Sequence, residues 1–344
     1  MTDVPDTRRR RLAAAADRLG WLALVLAAAI CCFMVITTMS VFAPVGRAFA
    51  DWLTYVHAVE RLLAGMPIYP AEQLSGPYVL PNVTLFGYAY PPSSVPLFVP
   101  FVSYPLGLWA WLTLNVGLFV TGLYAILRSE RGRVHPLEFA TVLLGLAFMR
   151  GFTDGVAFGN ASVGLAGVLA WGWVIGRGGA AIGVLAGLGA TIKLVPGTMI
   201  FWSTPKAFLR VLLAVVATSG ALFVLTLPLV GIDAWFDYIR ALSYSEPACG
   251  VDFPTSIACT LKPVLGIGAA KLAGIALAVV AGVLAVIVRP RLLSFALVVV
   301  AWLAPVTDLH FHYLLVVYVL AVAAYAVWRE RGRVTATSHR SGSR

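Results

Sequence analysis

Charged residues are scarce in this chain, and their scarcity excludes most soluble folds. Only 12% of the 344 residues are Asp, Glu, Lys or Arg, about half of the roughly 25% found in soluble globular domains. The mean hydropathy is +0.89, and apolar runs near the ~20 residues that cross a ~30 Å hydrocarbon layer recur along the chain. These runs lack the alternation of membrane β-strands. The sequence therefore predicts an all-α, polytopic integral membrane protein.

Recognisable cofactor motifs are lacking as well. The chain has no Walker loop, no dinucleotide-binding glycine pattern, no zinc motif and no nucleophile elbow. We therefore predict no cofactor and no metal.

Cysteine is also rare, with four residues in the chain. Cys31 and Cys32 fall inside the first predicted span, where we expect them to be packing residues. Cys249 and Cys259 fall in a loop that we place outside the membrane. A disulfide forms readily in an oxidising compartment. The sequence therefore leaves open whether these two cysteines form a disulfide or remain free thiols.

The net charge of +10 arises from basic residues in short hydrophilic breaks. Cytoplasmic loops of membrane proteins carry an excess of Lys and Arg, so we place these breaks and both termini in the cytoplasm. The positive charge then reflects topology and not nucleic-acid binding. The groups are Arg8–Arg11 with Arg18, Arg128/Arg131/Arg133, Arg177, Lys206/Arg210, Arg289/Arg291 and the tail from Arg329.

The domain organisation follows from this pattern. We predict a basic cytoplasmic N-terminus over 1–20, one transmembrane domain over 21–328 and a basic cytoplasmic tail over 329–344. The first span is expected to be an uncleaved anchor. About ten membrane segments are predicted, with two long external loops at 43–90 and 231–266.

Two regions of the domain are less regular. The short apolar piece Val95–Tyr104 is either re-entrant or a crossing that would break the charge rule. Between Arg177 and Lys206, both placed inside, Lys193 and Pro196 interrupt the apolar run, which predicts a hairpin with Lys193 at its external tip. The remaining spans are predicted at about 21–42, 106–127, 136–152, 155–175, 211–230, 267–288, 292–306 and 311–328.

Ionisable residues at membrane depth are costly and therefore candidates for function. In this topology they all lie at external ends of spans, although they come from separate segments. We expect them to converge on one site. They are Asp51, Arg150, Asp154, Lys193, Asp308, His310 and His312.

Each of these candidates has a plainer alternative. Asp51 could be a general base, since a partly buried carboxylate keeps a raised pKa, or the N-cap of a surface helix over 51–64. Lys193 could neutralise a phosphate or merely extend to the interface. Arg150 could also neutralise a phosphate, or it could form a simple ion pair with Asp154.

The histidines and aromatic residues are also open to two interpretations. His310 and His312 are two apart, so on a helix they would diverge by about 200° and would not share a metal unless the turn is unwound. One of them donating to a phosphate or a sugar hydroxyl is the better hypothesis; an interfacial role is the alternative. Several aromatic residues could stack on sugar rings or simply line the interface: Trp52, Tyr69, Tyr78, Tyr88 and Tyr90.

Several segments together resemble glycosyltransferase family 87, whose members are membrane enzymes of the GT-C class. Asp51-x-x-x-Tyr55, Leu63-Ala-Gly65-Met-Pro-Ile-Tyr69 and Phe86-Gly-Tyr88-Ala-Tyr90-Pro91-Pro92 resemble the first external loop of that family. Phe158-Gly159-Asn160-Ala-Ser162 resembles its Gly-Gln-x-Asn segment, with Asn160 in place of Gln. Ala186-Gly187 through Lys193-Leu-Val-Pro196 resembles its Ala-Gly…Lys-x-x-Pro segment.

This resemblance implies a GT-C-like fold and transfer of a sugar, typically mannose, from a polyprenyl-phosphate donor to a glycolipid or glycan acceptor outside the cell membrane. Asp51 would be the catalytic base. The donor phosphate would be bound by Lys193, His310, His312 and Arg150. Substrate would contact Tyr55, Tyr88, Tyr90 and Asn160. A nucleotide-sugar donor is disfavoured because no soluble domain exists to bind it.

Two other functions remain open from the sequence. A flippase or transporter of lipid-linked sugars also needs polar groups at a membrane cavity, but it should show a pseudo-repeat, which we do not find. The second is a membrane partner protein without catalytic activity. It remains open because Asn160 stands where the family segment has Gln.

Overall fold

The computed structural model describes residues 4–45, 48–76, 78–79, 87–246, 249, 256–307 and 309–341. Asp308 and parts of both predicted external loops lie outside these ranges, so the predictions made for them are not examined by the structure.

The described chain is almost entirely helical. The helices are α1 Val4–Phe42, α2 Ala50–Leu63, α3 Val95–Phe98, α4 Leu106–Arg131, α5 Pro136–Ala147, α6 Arg150–Ala157, α7 Ser162–Ile175, α8 Ala180–Ile192, α9 Phe208–Val230, α10 Asp233–Tyr244, α11 Ile257–Ile287, α12 Arg291–Leu303 and α13 Leu315–Ser341. Two short strands, β1 Tyr78–Val79 and β2 Ser245–Glu246, pair in parallel. The all-α prediction is thus confirmed.

Five helices in the described chain are long and apolar enough to cross a membrane, or six if the bent pair α5–α6 counts as one span. Three further apolar helices, α7, α8 and α12, are shorter. The predicted count of about ten segments is therefore not confirmed. The five are Ala13–Phe42, Leu106–Arg131, Phe208–Val230, Ile257–Ile287 and Phe311–Glu330.

Two predicted spans are broken in the structure. The span expected over 136–152 ends at Ala147, and α6 then turns away by 70°. The span expected over 155–175 is interrupted between Ala157 and Ser162. Gly159 adopts φ +69° at this break, a left-handed conformation that glycine takes without steric cost. An apolar pattern alone does not reveal such a break.

The two irregular regions are also defined by the structure. Residues 92–101 form three short turns, from Pro92 to Phe101, and not a crossing helix. The hairpin predicted between Arg177 and Lys206 is present in part. Its first limb is α8, Lys193 is extended at φ −138° and ψ 139°, and the second limb is a 3-10 helix, Val195–Phe201.

Basic residues gather where α4, α7 and α11 end. The Arg291 guanidinium donates to Glu130 at 2.8 Å and lies over the Trp173 ring. Arg177 donates to four carbonyl oxygens, those of Ser203, Ala285, Val286 and Val288. These bonds satisfy carbonyls that a helix C-terminus leaves unpaired. We call this end of the molecule the basic pole.

The connection after α2 is paired with the connection after α10, and the latter is also cross-linked within itself. β1 follows α2, β2 follows α10, and their pairing joins the two connections. Cys249 and Cys259 form a disulfide, which decides between the two possibilities left open by the sequence. Lys262 also pairs with Glu246 at 3.0 Å.

Glycines let α8 and α9 pack closely. A Cβ added at Gly183 would lie 2.5 Å from the Cβ of Ala214, whereas one added at Gly220 would meet nothing within 4 Å. Small residues at such contacts allow helix backbones to approach in lipid.

We expect Gly183→Ala to destabilise the protein by about 1–3 kcal/mol, the usual cost of overpacking. Gly220→Ala is the matched control on α9 and should be neutral or slightly stabilising, because Ala favours helix over Gly. Thermal unfolding of both variants in the same detergent measures the difference. Equal melting temperatures for the two variants would contradict close packing at Gly183.

Candidate active site

The site begins at the N-terminus of α2. The first N–H groups of a helix have no partner within it, and here they donate to the end of α6. Phe49 N–H donates to the Ala157 carbonyl at 2.8 Å, and Asp51 N–H donates to the Phe158 carbonyl at 3.0 Å. Phe49, the N-cap residue, has φ 59° and is the only non-glycine residue of the described chain with positive φ. These contacts fix where the Asp51 side chain starts.

Gly159 allows α2 to approach this closely. A Cβ there would lie 2.7 Å from the Cβ of Trp52. The Gly159 carbonyl accepts a hydrogen bond from Trp111 Nε1 at 2.7 Å. The turn between α6 and α7 is thus held from both α2 and α4.

Asp51 receives a hydrogen bond from the residue that follows this turn. Asn160 Nδ2 donates to Asp51 Oδ2 at 2.8 Å. The Asp51 side chain does not cap α2, so the alternative of an N-cap role is wrong. Its other oxygen, Oδ1, accepts no hydrogen bond from any described residue and is left for a ligand.

Lys193 completes a chain of polar contacts with Asp51. Its Nζ donates to Asn160 Oδ1 at 3.3 Å, to Ser162 Oγ at 2.8 Å and to the Tyr313 hydroxyl at 3.3 Å. Asn160 therefore bridges the carboxylate and the ammonium through its two amide atoms. An ammonium has three N–H donors, and each has an acceptor here.

Two tyrosine hydroxyls lie beside this chain. The hydroxyls of Tyr55 and Tyr90 are 2.8 Å apart, and Ala161 N–H donates to the Tyr55 oxygen at 3.1 Å. Two phenol protons share one contact, so one of them has no acceptor among the described residues. That proton can be donated to a substrate.

The aromatic rings are mostly packed. The Tyr55 ring is buried and stacks on Phe98 at 4.3 Å, so only its hydroxyl reaches the site. The Tyr90 ring is 5.1 Å from Lys193 Nζ, a cation–π contact. The Tyr88 ring is buried, and its hydroxyl is hydrogen-bonded to Ser94.

His310 and His312 come together because the turn before α13 is unwound. His310 is extended, residues 311–314 form a 3-10 turn, and the two rings stack with centroids 5.4 Å apart. His312 is in turn 4.8 Å from the Tyr313 ring. The structure therefore places both imidazoles beside a residue that binds Lys193.

Arg150 lies against the same segment. Its guanidinium is 4.2 Å from the centroid of the Phe311 ring, and Nε donates to Asp154 at 3.0 Å. The ion pair expected from the sequence is present, yet 59% of the Arg150 side chain is exposed. It can therefore bind an anion while remaining paired.

Burial shifts the pKa values of the main groups. Burial raises the pKa of Asp51, although Asn160 and the charge of Lys193 act in the opposite direction. Burial lowers the pKa of Lys193 to about 8, opposed by Asp51. Burial and the nearby ammonium lower the pKa of His310 to about 4, so this imidazole is neutral near pH 7.

The structure thus gathers most of the candidates into one chain of contacts, from Asp51 through Asn160 and Lys193 to the two histidines. Sequence reasoning missed Ser162 and Tyr313 as partners of Lys193. Ser162 lies in the segment Gly159-Asn160-Ala-Ser162, and this motif was the available signal. Asp308 lies outside the described residues.

A comparison with known families identifies the chain. The sequence model of glycosyltransferase family 87 matches residues 88–341, well over half of the protein. The chain belongs to glycosyltransferase family 87. No curated protein and no solved structure matches the chain significantly. Membership indicates a glycosyltransferase, an enzyme that needs a sugar donor and an acceptor. The matched region begins after Asp51, so the assignment of a role to this residue rests on its geometry.

We expect glycosyl transfer by this family 87 enzyme to fall as the pH rises through about 8. Lys193 is charged below its pKa of about 8 and neutral above it, and a neutral amine no longer provides positive charge beside Asp51. A pH profile of kcat measures this limb. Lys193→Met should lack it, whereas Lys262→Met, far along the chain and paired with Glu246, should retain it. A wild-type kcat that stays constant from pH 7 to 10 would contradict the assignment.

Protonation of Asp51 should give the same profile an acidic limb. Asn160→Ala should raise the pKa of Asp51, because the Asn160 hydrogen bond lowers it, and so move this limb to higher pH by about one pH unit. Losing a hydrogen bond to a charged group costs about 1.5–3 kcal/mol, and one pKa unit corresponds to 1.36 kcal/mol. Asn115→Ala is the control, since Asn115 is a buried amide that binds Trp111 and Gly164 outside the site. It should lower stability without moving the limb. The same shift in both variants would argue against a specific effect on Asp51.

Proposed function

We propose that this enzyme transfers a sugar, with mannose as the expected one, from a polyprenyl-phosphate donor to a hydroxyl of a glycolipid or glycan acceptor, with inversion at the anomeric carbon. The observation that carries the proposal is the Asp51 carboxylate. One of its oxygens is held by Asn160, and the other is open for an acceptor hydroxyl.

In the proposed reaction, Asp51 Oδ1 accepts the proton of the acceptor hydroxyl as its oxygen attacks the anomeric carbon. The bond from that carbon to the phosphate oxygen breaks on the opposite face, and polyprenyl phosphate leaves with the electron pair. A raised pKa suits Asp51 to this role, because the protonated acid formed during the step is less unfavourable. The free phenol proton of the Tyr55–Tyr90 pair supports the substrate by hydrogen bonding.

The departing phosphate gains negative charge. Arg150, Lys193 and the two histidines stabilise this charge in different ways. Arg150 is the exposed cation, and a guanidinium can donate two parallel hydrogen bonds to a phosphate. Lys193 is enclosed by three acceptors, so its contribution is mainly its field. His310 and His312 act as neutral donors, consistent with the lowered pKa of His310.

A lipid-borne donor is favoured by the surroundings of the site. The contacts between Asp51, Lys193 and Tyr313 lie at the ends of apolar helices, among them α8 and the span that begins at Phe311. A substrate anchored in the bilayer reaches such a position by lateral diffusion. The chain has no glycine-rich loop for a nucleotide diphosphate, which argues against a nucleotide-sugar donor.

The proposed location is the cell membrane, with both termini in the cytoplasm and the site on the external face. α7 begins at Ser162 in the site and ends at Ile175, next to Arg177 of the basic pole. Positive charge marks the cytoplasmic side of membrane proteins. With the basic pole in the cytoplasm, the site faces the opposite compartment, where a disulfide such as Cys249–Cys259 is stable.

Asp51→Asn and Asp51→Ala should each abolish transfer while the protein still folds and inserts. Product formation from a short-chain polyprenyl-phosphate mannose and a panel of acceptors, in lipid, measures this, and removal of a general base typically costs 10²–10⁴-fold. Asp233→Asn is the matched control, because Asp233 is likewise in the first turn of a helix, α10, and should be near wild type. Wild-type turnover in either Asp51 variant would refute the base.

A further inference from the structure

A cavity of about 260 Å³ lies along α2, beyond the contacts already described. It is bounded by α2 on one side and by the segment after it on the other. The residues that line it are Thr54, His57, Ala58, Glu60, Arg61, Met66, Ile68, Pro70 and Tyr88.

The cavity starts one helical turn from the carboxylate of the site. Residues three, seven and ten positions along a helix fall near one face, and Thr54, Ala58 and Arg61 stand at these positions from Asp51. With a rise of 1.5 Å per residue, the cavity extends from about 5 Å to about 15 Å along α2. Thr54 Oγ1 also donates to the Asp51 carbonyl at 2.6 Å, which connects the two places.

The lining combines polar groups with apolar surface. Thr54, His57 and Glu60 bring a hydroxyl, an imidazole and a carboxylate to one face of α2. The facing wall includes Ile68 and Tyr88, both buried. Planar polar side chains that bind hydroxyls, next to apolar surface that covers C–H groups, are suited to a sugar ring. A hydrocarbon chain fits less well, because it offers no hydrogen-bond partner to these polar groups.

The size of the cavity also limits which ligand it can hold. The volume is below the roughly 300–1,000 Å³ of sites for drug-sized ligands, so the cavity accommodates about one ring. Arg61 closes one side, because its Nε donates to the Pro67 carbonyl at 2.6 Å and braces the loop. Glu60 and Met66 also line the cavity and are exposed, so a chain of further units can continue outward past them.

We propose that this cavity binds the second hydroxylated ring of the acceptor, while the first ring presents its hydroxyl to Asp51. The inference rests on the proposed function and adds to it that the acceptor is an oligosaccharide chain of at least two units. The donor plays no part in it, because its phosphate is assigned to Arg150 and the histidines.

The test uses octyl glycosides of one, two and three hexose units as acceptors for the full-length enzyme in lipid. The KM of the two-unit acceptor should be about tenfold lower than that of the one-unit acceptor. Glu60→Gln and His57→Ala should each raise the two-unit KM about tenfold, and leave the one-unit KM and the donor KM unchanged. Glu72→Gln is the matched control, since Glu72 is an exposed glutamate that does not line the cavity, and it should alter none of these values.

Binding of the same glycosides without donor separates this inference from the reaction itself. Calorimetry should show tighter binding of the two-unit than of the one-unit glycoside, weakened by Glu60→Gln. If the wild-type enzyme binds the two-unit glycoside more tightly but transfers no sugar from polyprenyl phosphate, the proposed function fails and the cavity assignment stands. A KM and an affinity that do not depend on acceptor length, or that Glu60→Gln leaves unchanged, overturn the cavity assignment even where transfer is observed.

Discussion

The amide of Asn160 is the contact on which the site depends. Its nitrogen donates to Asp51, and its oxygen accepts from Lys193 and from the N–H of Ser162 at 2.7 Å. An amide has both donors and acceptors, so it can join a carboxylate to an ammonium without bringing the two charges into direct contact. A direct ion pair would engage the carboxylate and lower its basicity. The bridge keeps Asp51 in place and leaves one of its oxygens open.

Positions of single residues were more predictable than the path of the helices. The helix carrying Asp51 and the hairpin carrying Lys193 follow from proline and glycine signals and from charge, and most candidates do meet. The break between α6 and α7 was not predictable, because an apolar run containing Gly159 is equally typical of a continuous packed helix. The unwound turn at His310 and His312 depends on contacts with α6 that only the fold provides.

The structure also changes how the charges are understood. From sequence, Lys193 was expected to bind the donor phosphate, but its three protons already have acceptors. Arg150, for which phosphate binding and a simple ion pair were both open, has an exposed side chain as well as its pairing with Asp154. Sequence identifies which residues are charged, whereas the share of each charge that a ligand can reach depends on neighbours distant in the chain.

The shortness of α7 has a consequence for the depth of the site. Its fourteen residues rise about 21 Å, roughly a third less than a 30 Å hydrocarbon layer. When one end is level with a membrane boundary, the other end stops within the layer. Because Ile175 is the only exposed residue of α7, neighbouring helices and not lipid cover the end that stops within the layer. The gap left by its short length is therefore enclosed by protein, and Ser162 at that end can face a recess below the membrane boundary without any change in bilayer thickness.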